Sequence, residues 1–243
     1  MDVLIPLLLS IFIVALLYAS VGHGGASGYL AIMTLFGFEP QFLRSSALLL
    51  NIFVSGIAFY QYHRKGYFKW NLFLPFAAAS VPAAFLGGLI SIDPDIYRKV
   101  LGVCLLIAVF RMVFFFDNKS VDKKSFSIYA GLIIGAFFGL VSGVIGVGGG
   151  IFLSPLILLM HWADMKETVA VSALFIFVNS IAGMVGVLTA DTNLYPQIFI
   201  LVLAAVIGGL VGSHLGSVKL PEKILKYVLS LVLVFASVKL FLT

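Results

Sequence analysis

Charged residues are scarce in this chain, and their scarcity decides its class. Asp, Glu, Lys and Arg make up 10% of the 243 residues, whereas soluble domains carry about 25%. Hydrophobic residues make up 62%, and the mean hydropathy is +1.16. This composition is typical of a protein that crosses the lipid bilayer several times with small loops. We attribute the net charge of +5 to cytoplasmic loops rich in Lys and Arg, and expect no nucleic-acid partner.

Cysteine and nucleotide-binding motifs are also scarce. Cys104 is the only cysteine, so no intrachain disulfide forms and a metal cluster is not expected. The phosphate-binding pattern Gly-x-x-x-x-Gly-Lys-Ser/Thr is absent from the sequence. We therefore expect neither a cofactor nor a metal. Asp2 and Glu39 are the only charged residues before Arg44, so the apolar N-terminus lacks the positive residues of a signal peptide and is expected to remain in the membrane.

Glycine is abundant at two places inside long apolar runs. The first cluster is Gly22-His23-Gly24-Gly25, and the second is Gly146-Val147-Gly148-Gly149-Gly150. A glycine inside a helix costs about 1 kcal/mol relative to alanine, so three or four together predict an interrupted helix. In a bilayer, an interruption is tolerated only where protein or a water-filled cavity surrounds it. Two interruptions at matching places in two halves indicate a transporter binding site.

The two halves of the chain align with an offset near 124 residues. This offset places the first glycine cluster on the second, Ile52–Ala58 on Ile176–Ala182 and, with a few added residues, Pro94 on Pro221. We therefore predict one integral membrane domain, all-α, with repeats at 1–119 and 120–243. Each repeat is expected to hold a glycine-broken re-entrant or short-helix hairpin followed by three spanning helices. The predicted spans are Phe42–Tyr62, Leu72–Ile90, Tyr97–Phe116, Thr168–Leu188, Ile198–Leu215 and Ile224–Leu242.

The distribution of basic residues predicts the topology. If each broken segment crosses the membrane once, the Lys and Arg residues divide evenly between the two sides. If each returns to its starting side, most lie on one side, as the positive-inside rule requires. These are Arg64, Lys65, Lys69, Arg111, Lys119, Lys123, Lys124, Lys166, Lys219, Lys223 and Lys226, against Arg44, Arg98, Lys99 and Lys239. We therefore expect both termini outside, and two repeats of inverted orientation.

The glycine clusters predict a pocket for a small anion near the bilayer midplane. Each precedes a helix, and a helix N-terminus offers free N–H groups and the positive end of a dipole. Polar side chains nearby add donors, and Asn51 and Asn179 are the stronger candidates because a mid-span amide is costly without a partner. Serines at such positions, including Ser20, Ser142 and Ser154, more often serve helix packing. The candidate substrate-binding residues are Gly22, His23, Gly24, Gly25, Ser27, Asn51, Ser55, Gly146, Gly148, Gly149, Gly150, Asn179 and Ser180.

His23 is the most informative single residue, because Val147 occupies its equivalent position. It either donates to the anion or titrates and couples transport to protons, and the alternative is a neutral histidine bonded to a loop carbonyl. Arg44 begins a span on the predicted outer side, where it either attracts anions or snorkels to the interface.

Two other functions stay open. Gly25-Ala26-Ser27-Gly28 matches the Gly-x-Ser-Gly pattern of intramembrane rhomboid proteases, with His214 as a candidate base. The four letters are a weak signal in a chain with 24 glycines, and rhomboids have no inverted repeat of this kind. An anion channel is the other alternative, since broken helices serve channels as well, and flux measurements separate the two.

The paired motifs resemble the TauE/SafE family of sulfite exporters and related permeases of the 4-toluene sulfonate uptake type. The resemblance is carried by Gly22–Gly25 with Ser27-Gly28, the run Gly139–Gly150, Ser172-Ala173-Leu174 and Gly212–Gly216. It implies a plasma-membrane carrier for sulfite, sulfonates or similar anions, often an exporter. His23 and Ala26 depart from the pattern of the second half. We expect secondary active transport of a small sulfur-containing anion, with H⁺ or Na⁺ as the co-transported ion, and the direction and oligomeric state left open.

Overall fold

The computed structural model describes residues 4–38, 40–90, 124–190 and 198–221, with single positions at 93, 96, 103, 224, 227, 231 and 234. The regular secondary structure of these residues is helical, without a strand among them, as the predicted all-α class requires. The α-helices are α1 (Leu4–Ser20), α2 (Ala26–Leu35), α3 (Pro40–Arg64), α4 (Trp70–Leu89), α5 (Ile128–Ile145), α6 (Gly150–Leu159), α7 (Met165–Thr189) and α8 (Ile198–His214), which a π-helix (Leu215–Lys219) extends. The predicted spans Tyr97–Phe116 and Ile224–Leu242, and Cys104, lie outside the described residues apart from those single positions.

Five described helices are long and apolar enough to cross a membrane. They are Phe42–Arg64, Trp70–Leu89, Ile128–Ile145, Met165–Thr189 and Ile198–Lys219. Four of them confirm predicted spans, although the last continues through the π-helix beyond the predicted end at Leu215. The fifth is α5, the first arm of the second broken segment. The chain is therefore a multi-pass membrane protein.

Each glycine cluster joins a long helix to a short one that folds back along it. The short helices α2 and α6 have ten residues, or about 15 Å, roughly half of the ~30 Å hydrocarbon core. In the first hairpin, the Tyr18 hydroxyl lies 2.7 Å from the Ser27 hydroxyl. In the second, the rings of Phe138 and Phe152 lie 5.8 Å apart. Both broken segments are therefore helical hairpins with unequal arms, named here the first and second hairpin.

Helix bounds recur along the chain at the predicted offset. Adding 124 to the bounds of α2 gives 150 and 159, the bounds of α6. Adding 124 to the last residues of α1, α3 and α4 gives 144, 188 and 213, each one residue before the end of α5, α7 and α8 respectively. Helix α2 begins at Ala26, directly after Gly25, which ends the break with a φ of +97°.

The helices of the two halves interleave. Helix α4 packs between α5 and α7, and α8 packs in the same way between α1 and α3. The α4–α5 pair runs parallel and is close enough that a methyl group at Gly139 or Gly143 would meet the α4 backbone. At the centre, α3 meets α7 in opposite directions: a methyl group at Gly56 would lie 3.1 Å from the Phe177 ring, and one at Gly183 would lie 3.5 Å from Leu48. Helices α3 and α7, which occupy equivalent places in the two halves, thus run antiparallel where they touch.

Contacts between loops gather basic residues at one end of the molecule. The Lys69 ammonium forms a 3.2 Å ion pair with Glu167, and Lys166 lies 3.3 Å from the Tyr67 hydroxyl. The Lys124 amide donates to the His161 carbonyl at 3.0 Å. A single crossing by each broken segment would put Lys69 and Lys166 on opposite sides of a membrane. These contacts agree instead with hairpins that return to their starting side.

Candidate substrate-binding site

Backbone conformation explains why both breaks are built from glycine. Gly22, Gly25, Gly146, Gly148 and Gly149 have φ values between +72° and +97°, a region that residues with a side chain rarely adopt. All five are buried. A side chain here would also collide with a neighbour: a methyl group at Gly22 would meet Val169 of α7, and one at Gly146 would lie 3.1 Å from Arg44 Cγ of α3. Each break therefore lies tightly against the central helix pair α3 and α7.

The two breaks lie beside each other. His23 of the first places its Nε2 atom 3.3 Å from the Ser154 hydroxyl, which belongs to the short arm of the second hairpin. A small cavity of about 10 Å³ is lined by residues of both hairpins and of α7. They are Tyr18, His23, Gly24, Gly25, Ala26, Ser27, Val147, Ile151 and Ile176. That volume holds about one water molecule, so the site is closed in this conformation.

Asn51 of α3 connects the two breaks with the two ends of one amide. Its Oδ1 accepts a hydrogen bond of 3.1 Å from the Ala26 amide, at the first turn of α2. Its Nδ2 has no hydrogen-bond partner, although the residue is 0% exposed. That nitrogen points at the second break, since a methyl group at Gly148 would lie 2.9 Å from it. A mid-membrane donor is thus held in place by one hairpin and aimed at the other.

Three buried hydroxyls around the breaks also have no partner: Tyr29, Ser142 and Ser180. A methyl group at Gly148 would lie 3.1 Å from Ser180 Oγ, and one at Gly25 would lie 2.8 Å from the Tyr29 oxygen. Ser142 packs against Gly149, whose methyl would lie 3.2 Å from its Cβ. Leaving a buried donor unpaired costs about 1–3 kcal/mol. A protein tolerates several such donors together where water or a bound ion accepts their hydrogen bonds.

Other predicted polar residues use their donors within the protein. Ser55 donates to the Asn51 carbonyl at 2.5 Å, and the Ser27 hydroxyl pairs with Tyr18. Asn179 donates at 2.8 Å to the Phe175 carbonyl of its own helix, which leaves only its Oδ1, an acceptor, without a partner. Ser20 bonds to the Leu17 carbonyl at 2.7 Å. The structure thus gives these residues contacts that hold their own helix or hairpin.

Arg44 is bound to backbone rather than facing an open path. Its guanidinium donates to four carbonyl oxygens at the C-terminal ends of α4 and α5, where the helix dipole is negative. The acceptors are Gly87, Gly88, Ile90 and Gly143, at 2.6–3.0 Å. Arg44 therefore fastens the second hairpin to α4.

The Ser27 and His214 pair of the hydrolase alternative is not assembled in the described structure. The Ser27 hydroxyl is buried and bonded to Tyr18. His214 is exposed at the end of α8, and no hydrogen bond joins the two among the described residues.

The sequence reasoning missed three residues of the site. Tyr18 and Tyr29 line or approach the breaks, and Ser172 accepts a 2.7 Å hydrogen bond from Ser154. A tyrosine in an apolar run is easily assigned to packing, yet its hydroxyl needs a partner once buried. The spacing of Tyr18 and Tyr29, which flank the first cluster on both sides, was the available signal.

Comparison with known proteins agrees with a membrane transporter. The family described as "Sulfite exporter TauE/SafE" matches residues 7–240. A "Probable membrane transporter protein y4hK" of Sinorhizobium fredii is 38% identical over 241 residues, 97% of each chain. A probable membrane transporter protein of Methanocaldococcus jannaschii is 27% identical over 79% of this chain and 75% of the relative. "Probable membrane transporter protein YdhB" of Bacillus subtilis is 22% identical over 87% of this chain and 88% of the relative. No solved structure matches the chain.

Proposed function

Since the chain belongs to the sulfite exporter TauE/SafE family of membrane transporters, we propose that it is a secondary transporter for a small sulfur-containing oxyanion. The observation that carries this proposal is the Asn51 amide, whose buried Nδ2 has no partner and points at Gly148 in the second break. An N–H group so placed needs an acceptor, and the oxygens of sulfite or a sulfonate are acceptors.

The anion is expected to bind at the second break rather than midway between the two. The start of α6 carries no side-chain cap, so its backbone N–H groups and positive dipole end are free to hold an anion. The start of α2 is instead occupied by the Asn51 oxygen. Ser180 Oγ, also without a partner, adds a second neutral donor beside Gly148.

The absence of charge at this place suits a carrier. None of the residues that line the cavity is acidic or carries a permanent positive charge. Neutral donors and a helix dipole bind an anion less tightly than a buried arginine would. This suits a carrier, because a transported ion must also be released. Anions are favoured over cations because the unpaired Asn51 Nδ2 at Gly148 can only donate, and the Ser180 hydroxyl beside it can donate as well.

The closed cavity supports a carrier over an anion channel. A volume of about 10 Å³ is too small for an oxyanion larger than water, so the hairpins must separate to admit one. Saturable uptake of radiolabelled sulfite into proteoliposomes is expected of a carrier. A flux that rises linearly with sulfite concentration would favour the channel.

The ligand class is tested by thermal unfolding of the purified protein with a panel of solutes. Sulfite, methanesulfonate and sulfoacetate are expected to raise the unfolding temperature, since a ligand at 100 times its Kd stabilises by about 2.7 kcal/mol. Taurine and acetate test the need for net charge and for sulfur. Stabilisation by cations or neutral sugars alone would rule out the anion.

We further propose the plasma membrane as the location, with both termini outside and the two repeats inverted. The antiparallel contact of α3 with α7 and the joining of Lys69 to Glu167 support this topology. Reporter fusions at the C-terminus are expected to be active only outside the cytoplasm. A cytoplasmic C-terminus would contradict the inverted arrangement.

A further inference from the structure

The ring of His23 is the polar contact through which the first hairpin reaches the second. Its Nδ1 lies 2.9 Å from the Val21 carbonyl, and its Nε2 lies 3.3 Å from the Ser154 hydroxyl. The residue is 1% exposed. We propose that His23 is the proton-binding site of the transporter, and that a proton bound there closes the hairpins around the anion. This rests on the proposed function and adds the coupling ion to it.

The hydrogen-bond partners of the ring favour the doubly protonated form, whereas the burial of the ring opposes the positive charge. A carbonyl can only accept, so the Nδ1 atom facing Val21 carries a hydrogen. Ser154 donates its single hydrogen to Ser172 at 2.7 Å, which leaves its oxygen as an acceptor toward Nε2. A hydrogen on Nε2 completes this chain, whereas a neutral ring turns a lone pair toward the Ser154 oxygen. With the Ser154 hydrogen directed at Ser172, the contact between the hairpins becomes a hydrogen bond when Nε2 is protonated.

The proton balance of the step is simple. A proton from the aqueous phase binds the Nε2 lone pair, Nδ1 keeps its own hydrogen, and no other covalent bond changes. The Nε2–H then donates to Ser154, and Ser154 donates to Ser172 of α7. Deprotonation returns the proton to water and removes this hydrogen-bonded link from the first hairpin to α6 and, through Ser154, to α7.

Among the described residues that line the cavity, His23 is the one with an imidazole, carboxylate or amine side chain. Tyr18 of α1 lines the cavity and is bonded to Ser27, and Tyr29 of α2 lies over Gly25. From α3, the nearest cation is Arg44, which is bound to carbonyls behind the second break. On α7, Glu167 is paired with Lys69 at the end of the molecule. Helix α6 contributes hydroxyl and apolar groups, with no ionisable side chain of its own.

Proton and anion are then expected to bind cooperatively. A protonated His23 places a positive charge in the cavity that Val147 and Ile151, from the second break and the first turn of α6, also line. The anion favours the protonated ring, and by linkage the protonated ring favours the anion to the same extent. Movement of a singly charged anion with one proton is electrically neutral, which distinguishes this mechanism from uptake of the anion alone.

The first experiment observes His23 without any substrate. The full chain, labelled with ¹⁵N-histidine in lipid nanodiscs, is titrated by NMR from about pH 3 to about pH 9, because burial disfavours the charged ring. One ring signal, absent from the His23→Gln variant, is expected to show a single-proton titration. Ser154→Ala removes the acceptor and should weaken proton binding about tenfold. His214→Gln, which changes an exposed histidine at the end of α8, should leave that titration unchanged.

The second experiment measures coupling in proteoliposomes. Methanesulfonate keeps one negative charge throughout this range, so its own titration does not interfere. An imposed methanesulfonate gradient is expected to drive protons in the same direction, reported by a pH-sensitive dye inside the vesicles. Uptake should rise up to about tenfold per pH unit of acidification above the titration midpoint. His23→Gln should abolish both effects, and His214→Gln should preserve them.

The outcomes separate the two proposals. If His23 titrates but methanesulfonate and sulfite are not transported, the proton site stands and the substrate assignment fails. If both anions are transported, but His23 does not titrate with or without them, the proton site is overturned. Uptake that follows a sodium gradient and ignores the proton gradient would also overturn it. A His23→Gln variant that still moves protons with methanesulfonate would do the same.

Discussion

The two breaks share a positive φ at Gly22 and Gly146 and at Gly25 and Gly149, but their backbones differ at Gly24 and Gly148 and their side chains differ as well. The first contains His23, and its helix α2 begins with an amide bound by Asn51. The second has Val147 at the equivalent position, and its helix α6 begins without a side-chain cap. Adding 124 to 51 gives Phe175, whose ring would lie 3.0 Å from a methyl group at Gly149. Polar groups of the first half are thus directed at the break of the second.

This difference shows how two copies of a duplicated hairpin can take different functions. A fully symmetric pair would hold two identical anion sites, each with its own amide. Here one break is satisfied by protein and offers an ionisable ring, whereas the other leaves its helix start open. We infer that the anion belongs to the second break and the proton to the first.

The largest expected effect comes from reversing the one donor that joins the breaks. Asn51→Asp keeps an oxygen for the Ala26 amide but replaces the Nδ2 donor with a second oxygen. Loss of a hydrogen bond to a charged ligand costs about 1.5–3 kcal/mol, and repulsion between like charges adds to it. Methanesulfonate affinity, measured by thermal shift at about pH 8, is expected to fall more than about a hundredfold.

A matched control for that substitution lies at the start of α4. Asn71→Asp makes the same chemical change at an exposed position and should leave affinity unaltered. Equal losses in both variants would show a general charge effect and would remove Asn51 from the site.

A smaller effect is expected from filling the second break. Gly148 has a φ of +78°, and a methyl group there would lie 2.7 Å from Ile176 and 2.9 Å from Asn51 Nδ2. Gly66 has a φ of +77° in the loop after α3, with nothing within 4 Å. Gly66→Ala should cost about 1 kcal/mol of stability through backbone strain alone, and Gly148→Ala about 2–4 kcal/mol. Thermal unfolding in detergent measures both losses of stability. Equal losses would mean that the second break accommodates a methyl group at Gly148 without a steric clash.

The smallest effects compare two serines on the central helices. Ser180 has a free buried hydroxyl beside Gly148, whereas Ser55 donates to the Asn51 carbonyl within α3. Ser180→Ala is expected to weaken methanesulfonate binding about tenfold, and Ser55→Ala by less than about twofold. The two variants exchange the same atoms, so a larger effect at Ser55 would move the anion away from the second break.

Much of the architecture follows from glycine and apolar periodicity. The runs around Gly22 and Gly146 identify both hairpins, and the offset between them places α3 and α7 on each other to within one residue. The imbalance of basic residues between the two sides predicted hairpins rather than single crossings. The contact of Lys69 with Glu167 agrees with that prediction. These features depend on residues that are close along the chain, and the sequence gives that order directly.

The partners of polar side chains could not be read in this way. Arg44 binds carbonyls of α4 and α5, and any sequence offers hundreds of carbonyl oxygens. Asn51 and Asn179 look alike as mid-span amides, yet one reaches another helix and the other bonds to its own. Which of the two was available to a ligand depended on the rotation of α3 and α7 about their axes. That rotation is set by packing between distant segments.

The interleaving of the halves constrains how the protein is made. Helix α1 packs along α8, and α8 begins at residue 198. At a translation rate of roughly 5–20 residues per second, α1 spends on the order of 10–35 s in the bilayer before its neighbour leaves the ribosome. During that interval it can pack only on α2 and α3 among its described partners, and all 17 of its residues are uncharged. A ribosome that stops before α8 therefore releases an α1 and an α3 with uncovered flanks, which membrane quality control can recognise as unfinished.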